Sequence, residues 1–168
     1  MAEIKRRVVV ADAGPLIAFA RLDLLVLLPE MFGTLMVPEA VLKECLHVPT
    51  RPDAQVIQRA VDDGMLGVRA EHASIADYWP PALGAGEQAA IHLAQVLDCP
   101  VLIDDKLARR VASSVGLRVI GTAGVLIQAK QQARIVAIAP LLETLQDSGY
   151  HLADDLVRHM LQLAGEEE

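Results

Sequence analysis

Short apolar runs, rich in β-branched residues, recur along this chain and stop abruptly, with stretches of helical period between them. Val8-Val9-Val10, Leu35-Met36-Val37, Leu66-Gly67-Val68, Val101-Leu102-Ile103 and Leu117-Arg118-Val119-Ile120 are all of this kind. A strand buried on both faces has this composition. Neighbouring parallel strands need a long crossover, and the intervening stretches have the length and period of helices. The chain therefore reads as α/β, three layers deep, with helices on both faces of a mainly parallel sheet of about five short strands.

Helices are expected over 16–28, with Pro29 marking its end and room for a short helical turn before Gly33, and from Pro38 through 40–46. Others are expected over 53–63 with Gly64 closing it, over 87–97 after Gly84-Ala85-Gly86, and over 106–115 ended by Gly116. Residues 70–83, with Tyr78-Trp79-Pro80-Pro81, read as an irregular surface loop. No strand follows Gly121, so helices over 122–132, 140–146 and 153–163 are left to cover a sheet edge or to meet another subunit. The last of them carries the stripe Leu152, Leu156, Met160 and Leu163, and 166–168 reads as a frayed tail. The expectation is one domain over 1–168, with 123–165 as a helical extension packed on it.

At 168 residues and 53% hydrophobic, the chain can bury a sizeable core and is not a disordered segment. No apolar run approaches the roughly 18–20 residues that span a bilayer. The run after Lys5-Arg6-Arg7 is cut at Asp12, which suits a signal peptide poorly, so a cytoplasmic protein without membrane contact is expected. Cys45 and Cys99 read as buried free thiols, and no Cys or His pair has zinc-ligand spacing. A net charge of −7 argues against broad non-specific binding of nucleic acid, though not against a nuclease whose acids are gathered at one site. With 3% aromatic residues, a large base-stacking platform is excluded.

Five carboxylates stand where chemistry would need them. Asp12 ends the first apolar run, Asp104-Asp105 ends the fourth, Glu44 lies on the helix after the second, and Glu87 opens the helix after Gly84-Ala85-Gly86. Each has a local alternative. Asp12 can cap a helix, Glu87 can favour a helix dipole, and Glu44 can be an ordinary exposed residue. One of Asp104 and Asp105 can cap the next helix while the other points into the site, because successive residues leaving a strand point opposite ways. The conjunction goes further than any member. Acids follow strands one and four, which flank the topological switch point of a common doubly wound order. Converging acids repel unless a cation sits between them, and carboxylate oxygens suit Mg²⁺ or Mn²⁺. Such ions serve metal-assisted hydrolysis.

Other features carry less. Arg109-Arg110 can meet phosphate or lie on a solvated helix face. Thr122 can reach the site rim or cap a helix, and Trp79 can anchor its loop or stack on a base. Ser113-Ser114 lie within a helix, with no nucleophile elbow. Gly84-Ala85-Gly86 follows prolines instead of a strand, so it fails as a dinucleotide loop.

Five ordered segments resemble the PIN-domain family: the run 8–17 around Asp12, Val37-Pro38-Glu39-Ala40-Val41-Leu42-Lys43-Glu44, Gly84-Ala85-Gly86-Glu87, the run 101–110 around Asp104-Asp105, and 117–126. The nearest resemblance is to its VapC-like branch of short prokaryotic proteins, DUF3368. It implies a Mg²⁺- or Mn²⁺-dependent endoribonuclease, often the toxin of a toxin–antitoxin pair, with RNA as substrate, an antitoxin protein as partner and a homodimer as assembly. It implies Asp12, Glu44, Glu87 and Asp105 as the catalytic acids, and Asp12, Glu87, Asp104 and Asp105 as metal ligands. Glu87 stands where many relatives have Asp. A second reading, from another class, is a catalytically weak PIN-like module acting through protein contacts, which the acidic balance and the apolar C-terminal helices fit. A small-molecule phosphohydrolase ranks last, because position 14 is glycine and no Asp-x-Asp nucleophile motif forms at Asp12.

Overall fold

The computed structural model describes residues 7–70 and 79–167. Its strands are β1 (Val8–Ala11), β2 (Thr34–Pro38), β3 (Leu66–Arg69), β4 (Val101–Leu102) and β5 (Val119–Ile120). They form one sheet in the order β3-β2-β1-β4-β5, every pair parallel. β1 is central, and its Val9, Val10 and Ala11 are almost wholly buried, as a β-branched run covered on both faces requires. The chain leaves β1 toward β2 on one side and later returns to β4 on the other. The switch point therefore lies between the ends of β1 and β4. β4 and β5 are shorter than their apolar runs, but the Ile103 amide still donates to the Ile120 carbonyl at 2.9 Å.

The helices are α1 (Ala13–Arg21), α2 (Leu27–Phe32), α3 (Glu39–Cys45), α4 (Pro52–Asp62), α5 (Ala85–Leu97), α6 (Lys106–Ser114), α7 (Thr122–Gln131), α8 (Ala139–Asp147) and α9 (Asp154–Ala164). The expected single helix over 16–28 is two. Asp23 adopts the left-handed region at φ 55°, and the Leu24 amide reaches back to the Phe19 carbonyl at 2.9 Å. This is a helix stop usually built on glycine. Pro29 does not close a helix. It sits in the first turn of α2, where its missing N–H has no intrahelical partner to lose.

α8 packs on α1 and α9 on α7, so both helices lie against the body of the fold. The stripe expected on α9 is rotated. Met160 is buried, with Val157 and Leu161 packed against the core, while Leu156 and Leu163 are 40% and 56% exposed. The tail is not frayed at Glu166. Its carboxylate accepts from the amides of Ile138 and Ala139 at 2.7 and 2.8 Å, and from Lys130 Nζ at 2.7 Å, which closes the open start of α8. Both cysteines are free, Cys45 buried and Cys99 half-buried. Trp79 is partly buried against the core, the anchoring position, whereas Tyr78 lies outside the described residues. Among the described residues no helix is long and apolar enough to cross a membrane.

Candidate functional site

The carboxyl edge of the sheet is acidic. Asp12 follows β1 at the cap position of α1, but its side chain makes no capping hydrogen bond. It is only 5% exposed, and its Oδ1 is buried without a partner. Burial pushes its carboxyl up to about 7. The Ala13 amide offsets part of this, and the charges of Glu44, Glu87 and Asp104 add to it.

Gly86 lets the neighbouring acids approach. A Cβ at that position would fall 2.7 Å from Glu44 Oε2 and 3.8 Å from Asp12 Oδ1. A bare backbone in the first turn of α5 thus lets α5 close on α3 and puts Glu44 beside Asp12. Glu87 comes next, in the third position of α5. Its Oε2 accepts from the Gly84 amide at 2.8 Å, which is half of a capping box, since glycine has no side chain to supply the other half. Burial raises the Glu87 pKa, the Gly84 amide lowers it, and the charges of Asp105 and Glu44 raise it further.

The aspartate pair after β4 divides its work. Asp105 is exposed and caps α6, its Oδ1 accepting from the Ala108 amide at 2.8 Å. Asp104 turns inward. Its Oδ1 accepts from the Thr122 amide at 2.8 Å, and its Oδ2 from Thr122 Oγ1 at 2.6 Å and Tyr150 Oη at 2.7 Å. The split is the one expected for successive residues leaving a strand. The acid that bears electrostatically on Asp12, however, is Asp104, while Asp105 bears on Glu87 from the rim. Thr122 serves the site; Gly121 occupies the cap position of α7. Arg109 folds back over Gly121 and donates to the Ile103 carbonyl at 3.0 Å, so it is no solvated surface residue, whereas Arg110 is exposed.

The expected ligands Asp12, Glu87, Asp104 and Asp105 do not form a ready coordination shell. Among the described residues no three acid, His or Cys side chains are close enough to hold one ion. Glu87, Asp104 and Asp105 are each engaged by protein donors, for the reasons just given. The chemistry of the donor set still fits a hard divalent ion. All its donors are carboxylate oxygens, and among the described residues the charges that bear on Asp12, whose Oδ1 has no partner, are those of other acids. Asp53, also buried, shows the contrast: Arg21 Nε lies 3.0 Å and Arg51 Nη2 3.4 Å from its Oδ2.

Tyr150 had no local signal, since it lies 46 residues from the acid it binds. Burial and then the charge of Asp104 hold its hydroxyl protonated well above the ordinary range. Tyr150→Phe removes one of three donors to Asp104. Urea denaturation should show a loss of about 1.5–3 kcal/mol, the usual worth of a hydrogen bond to a charged group. A loss below about 0.3 kcal/mol would mean that water replaces the hydroxyl at no cost.

A parallel sheet with acids gathered at its switch point defines an α/β protein with an acidic site at the carboxyl edge. The family model of DUF3368, a PIN domain, matches residues 8–166, and the chain belongs to that family, whose members are generally nucleases. Among solved structures it is similar to a PilT N-terminus domain protein of the archaeon Sulfolobus solfataricus, with 20% identity and a TM-score of 0.49. That similarity covers 73% of this chain and 92% of the other. No curated protein matches it.

Proposed function

We propose that this chain is a Mg²⁺- or Mn²⁺-dependent endoribonuclease, the toxin component of a toxin–antitoxin pair, folded as one domain. The observation that carries this reading is the buried Oδ1 of Asp12, without a partner among the described residues and with the charges of Glu44, Glu87 and Asp104 bearing on it. A carboxylate in that setting is expensive unless an ion completes it. Asp12 would hold the ion, with Glu44 and Glu87 the nearest flanking oxygens. When bound, such an ion lowers the pKa of a coordinated water and screens the charge of the phosphate. In this reading Glu44 and Glu87 would accept the proton of an attacking water. Asp104 is fixed in position by Thr122 and Tyr150. Asp105 sits at the rim of the same edge. A homodimer and a cognate antitoxin protein complete the proposal.

Glu87→Gln tests it. The amide keeps the shape and can still accept from the Gly84 amide, but it removes a negative charge and a proton acceptor. Cleavage of a mixed RNA pool in Mn²⁺ should fall by about 10²-fold, the lower range for a general acid–base residue. Unchanged cleavage would count against the acids as the reacting centre. The absence of a ready three-acid shell favours the second reading, a weakly active interaction module. Calorimetric titration with Mn²⁺ separates the two: binding that disappears in Asp12→Asn supports the enzyme, and no binding to the native chain supports the module.

A further inference from the structure

Beside the acids lies a cavity of about 800 Å³, between the end of β5, helix α7 and the α8–α9 corner. Asp104, Thr122 and Tyr150 belong to its lining, so the cavity shares Asp104 with the acidic site. Its floor is apolar, built from Ile120, Leu126, Leu145, Leu152, Leu156 and Met160. Its rim is cationic: Lys106, Arg109 and Arg118 line it, with the His151 imidazole beside them, and Asp104 is the acid among the described lining residues. That balance is opposite to the chain's net charge of −7. A more open hollow along α6 shares Lys106 and Arg109 with the cavity and adds Arg110, Ser113 and Ser114, with no acid among its described lining residues.

We propose that this cavity binds the nucleotide next to the cleaved phosphate of a single-stranded RNA, its base on the apolar floor and its phosphate at the cationic rim. The α6 hollow would carry the following phosphates. The placement relative to the cleaved bond rests on the nuclease reading above; the nucleotide site itself rests on the cavity. The volume suits a nucleotide, since small-ligand sites run to several hundred cubic ångströms. The pairing of an apolar floor with point charges suits one as well, because a base has an apolar face and its linkage an anion. Tyr150 supplies an aromatic side chain to the wall, and its hydroxyl is tied to Asp104. Arg118 and Leu156 are exposed and stand outside the acid cluster, so they report on the cavity alone.

The test is fluorescence anisotropy with a labelled mixed-sequence RNA hexamer in EDTA, where no metal-dependent cleavage can occur. Arg118→Ala should weaken binding several-fold and lower the salt dependence by about one phosphate contact. Leu156→Asp should weaken it at least as much, while Val136→Asp, at a site 94% exposed and away from the cavity, should leave it unchanged. In Mn²⁺ the first two variants should raise KM and spare kcat. Hexamer binding that is the same in the native chain and both cavity variants overturns the proposal. So does a Leu156→Asp variant that changes the oligomeric state in sedimentation and leaves hexamer affinity intact, because the cavity is then covered by a second copy. Native-like cleavage and native-like KM in both variants remove the cavity and keep the nuclease. Binding lost in the variants of a chain that cleaves no RNA keeps the nucleotide site and removes the nuclease.

Discussion

Asp12→Asn should abolish metal-dependent cleavage and, at neutral pH without metal, make the protein more stable. The two effects have one cause. Asp12 is buried, its Oδ1 is unpartnered, and burial together with the charges of Glu44, Glu87 and Asp104 pushes its carboxyl up to about 7. In the unfolded chain the group has its ordinary value of 3.8. Below that value both states are protonated and nothing is lost. Between about pH 4 and pH 7 the unfolded chain releases the proton first, so stability falls as pH rises. At roughly 1.4 kcal/mol per unit, the full displacement is worth about 4 kcal/mol near neutrality. An amide at position 12 never ionises and escapes that loss, less what its own imperfect hydrogen bonding costs. A rise in Tm of about 5 °C is expected at pH 7.5, shrinking toward zero at pH 4. Mn²⁺ should then raise the Tm of the native chain and leave the variant unmoved, because only the native chain gains binding free energy. Equal Tm for the two proteins across pH 4–8 would show that the Asp12 oxygen is satisfied by solvent, and the case for an ion at that point would go with it.

Much of the architecture is legible from residue type, because buried parallel strands leave so plain a trace. Val8-Val9-Val10 and Val101-Leu102-Ile103 could be read as neighbours whose ends flank a switch point, and the sheet order agrees. The helix break at Asp23 was hidden because the left-handed position there holds aspartate, where glycine would have announced it. Glu166 was hidden for a different reason. A charged residue near a chain end looks solvated, and nothing nearby in sequence says that the amides of Ile138 and Ala139 need it. Sequence reasoning placed the acids at the carboxyl edge of the sheet, where the fold has them, but could not divide labour within Asp104-Asp105. That division depends on Thr122 and Tyr150, which only the fold brings to Asp104. Gly86 read as part of a helix-opening turn. Its consequence, the close approach of Glu44, is a packing fact between two helices.

Asp53 provides the opposite experiment on the same kind of residue. It is as buried as Asp12, at 6% exposure against 5%, yet its neighbours are Arg21 and Arg51. Arg21 is itself mostly buried, and its guanidinium also donates to the Ser148 carbonyl at 3.2 Å, tying α1 and the start of α4 to the end of α8. Asp53→Ala leaves that guanidinium facing a neutral site with much of its hydration gone. Removing one partner of a buried pair costs about 3–5 kcal/mol, and the residual exposure of Arg21 places the expected loss near the lower figure. Urea denaturation should therefore show Asp53→Ala destabilised by about 3 kcal/mol, with Asp12→Asn moving the other way. The double variant Arg21→Met, Asp53→Leu should recover part of the loss, since no uncompensated charge remains. A double variant no better than Asp53→Ala alone would trace the cost to lost packing at α4. The sign of the effect is set by which charges bear on the buried carboxylate: guanidinium groups at Asp53, where it holds the fold together, and other carboxylates at Asp12, where it strains the fold.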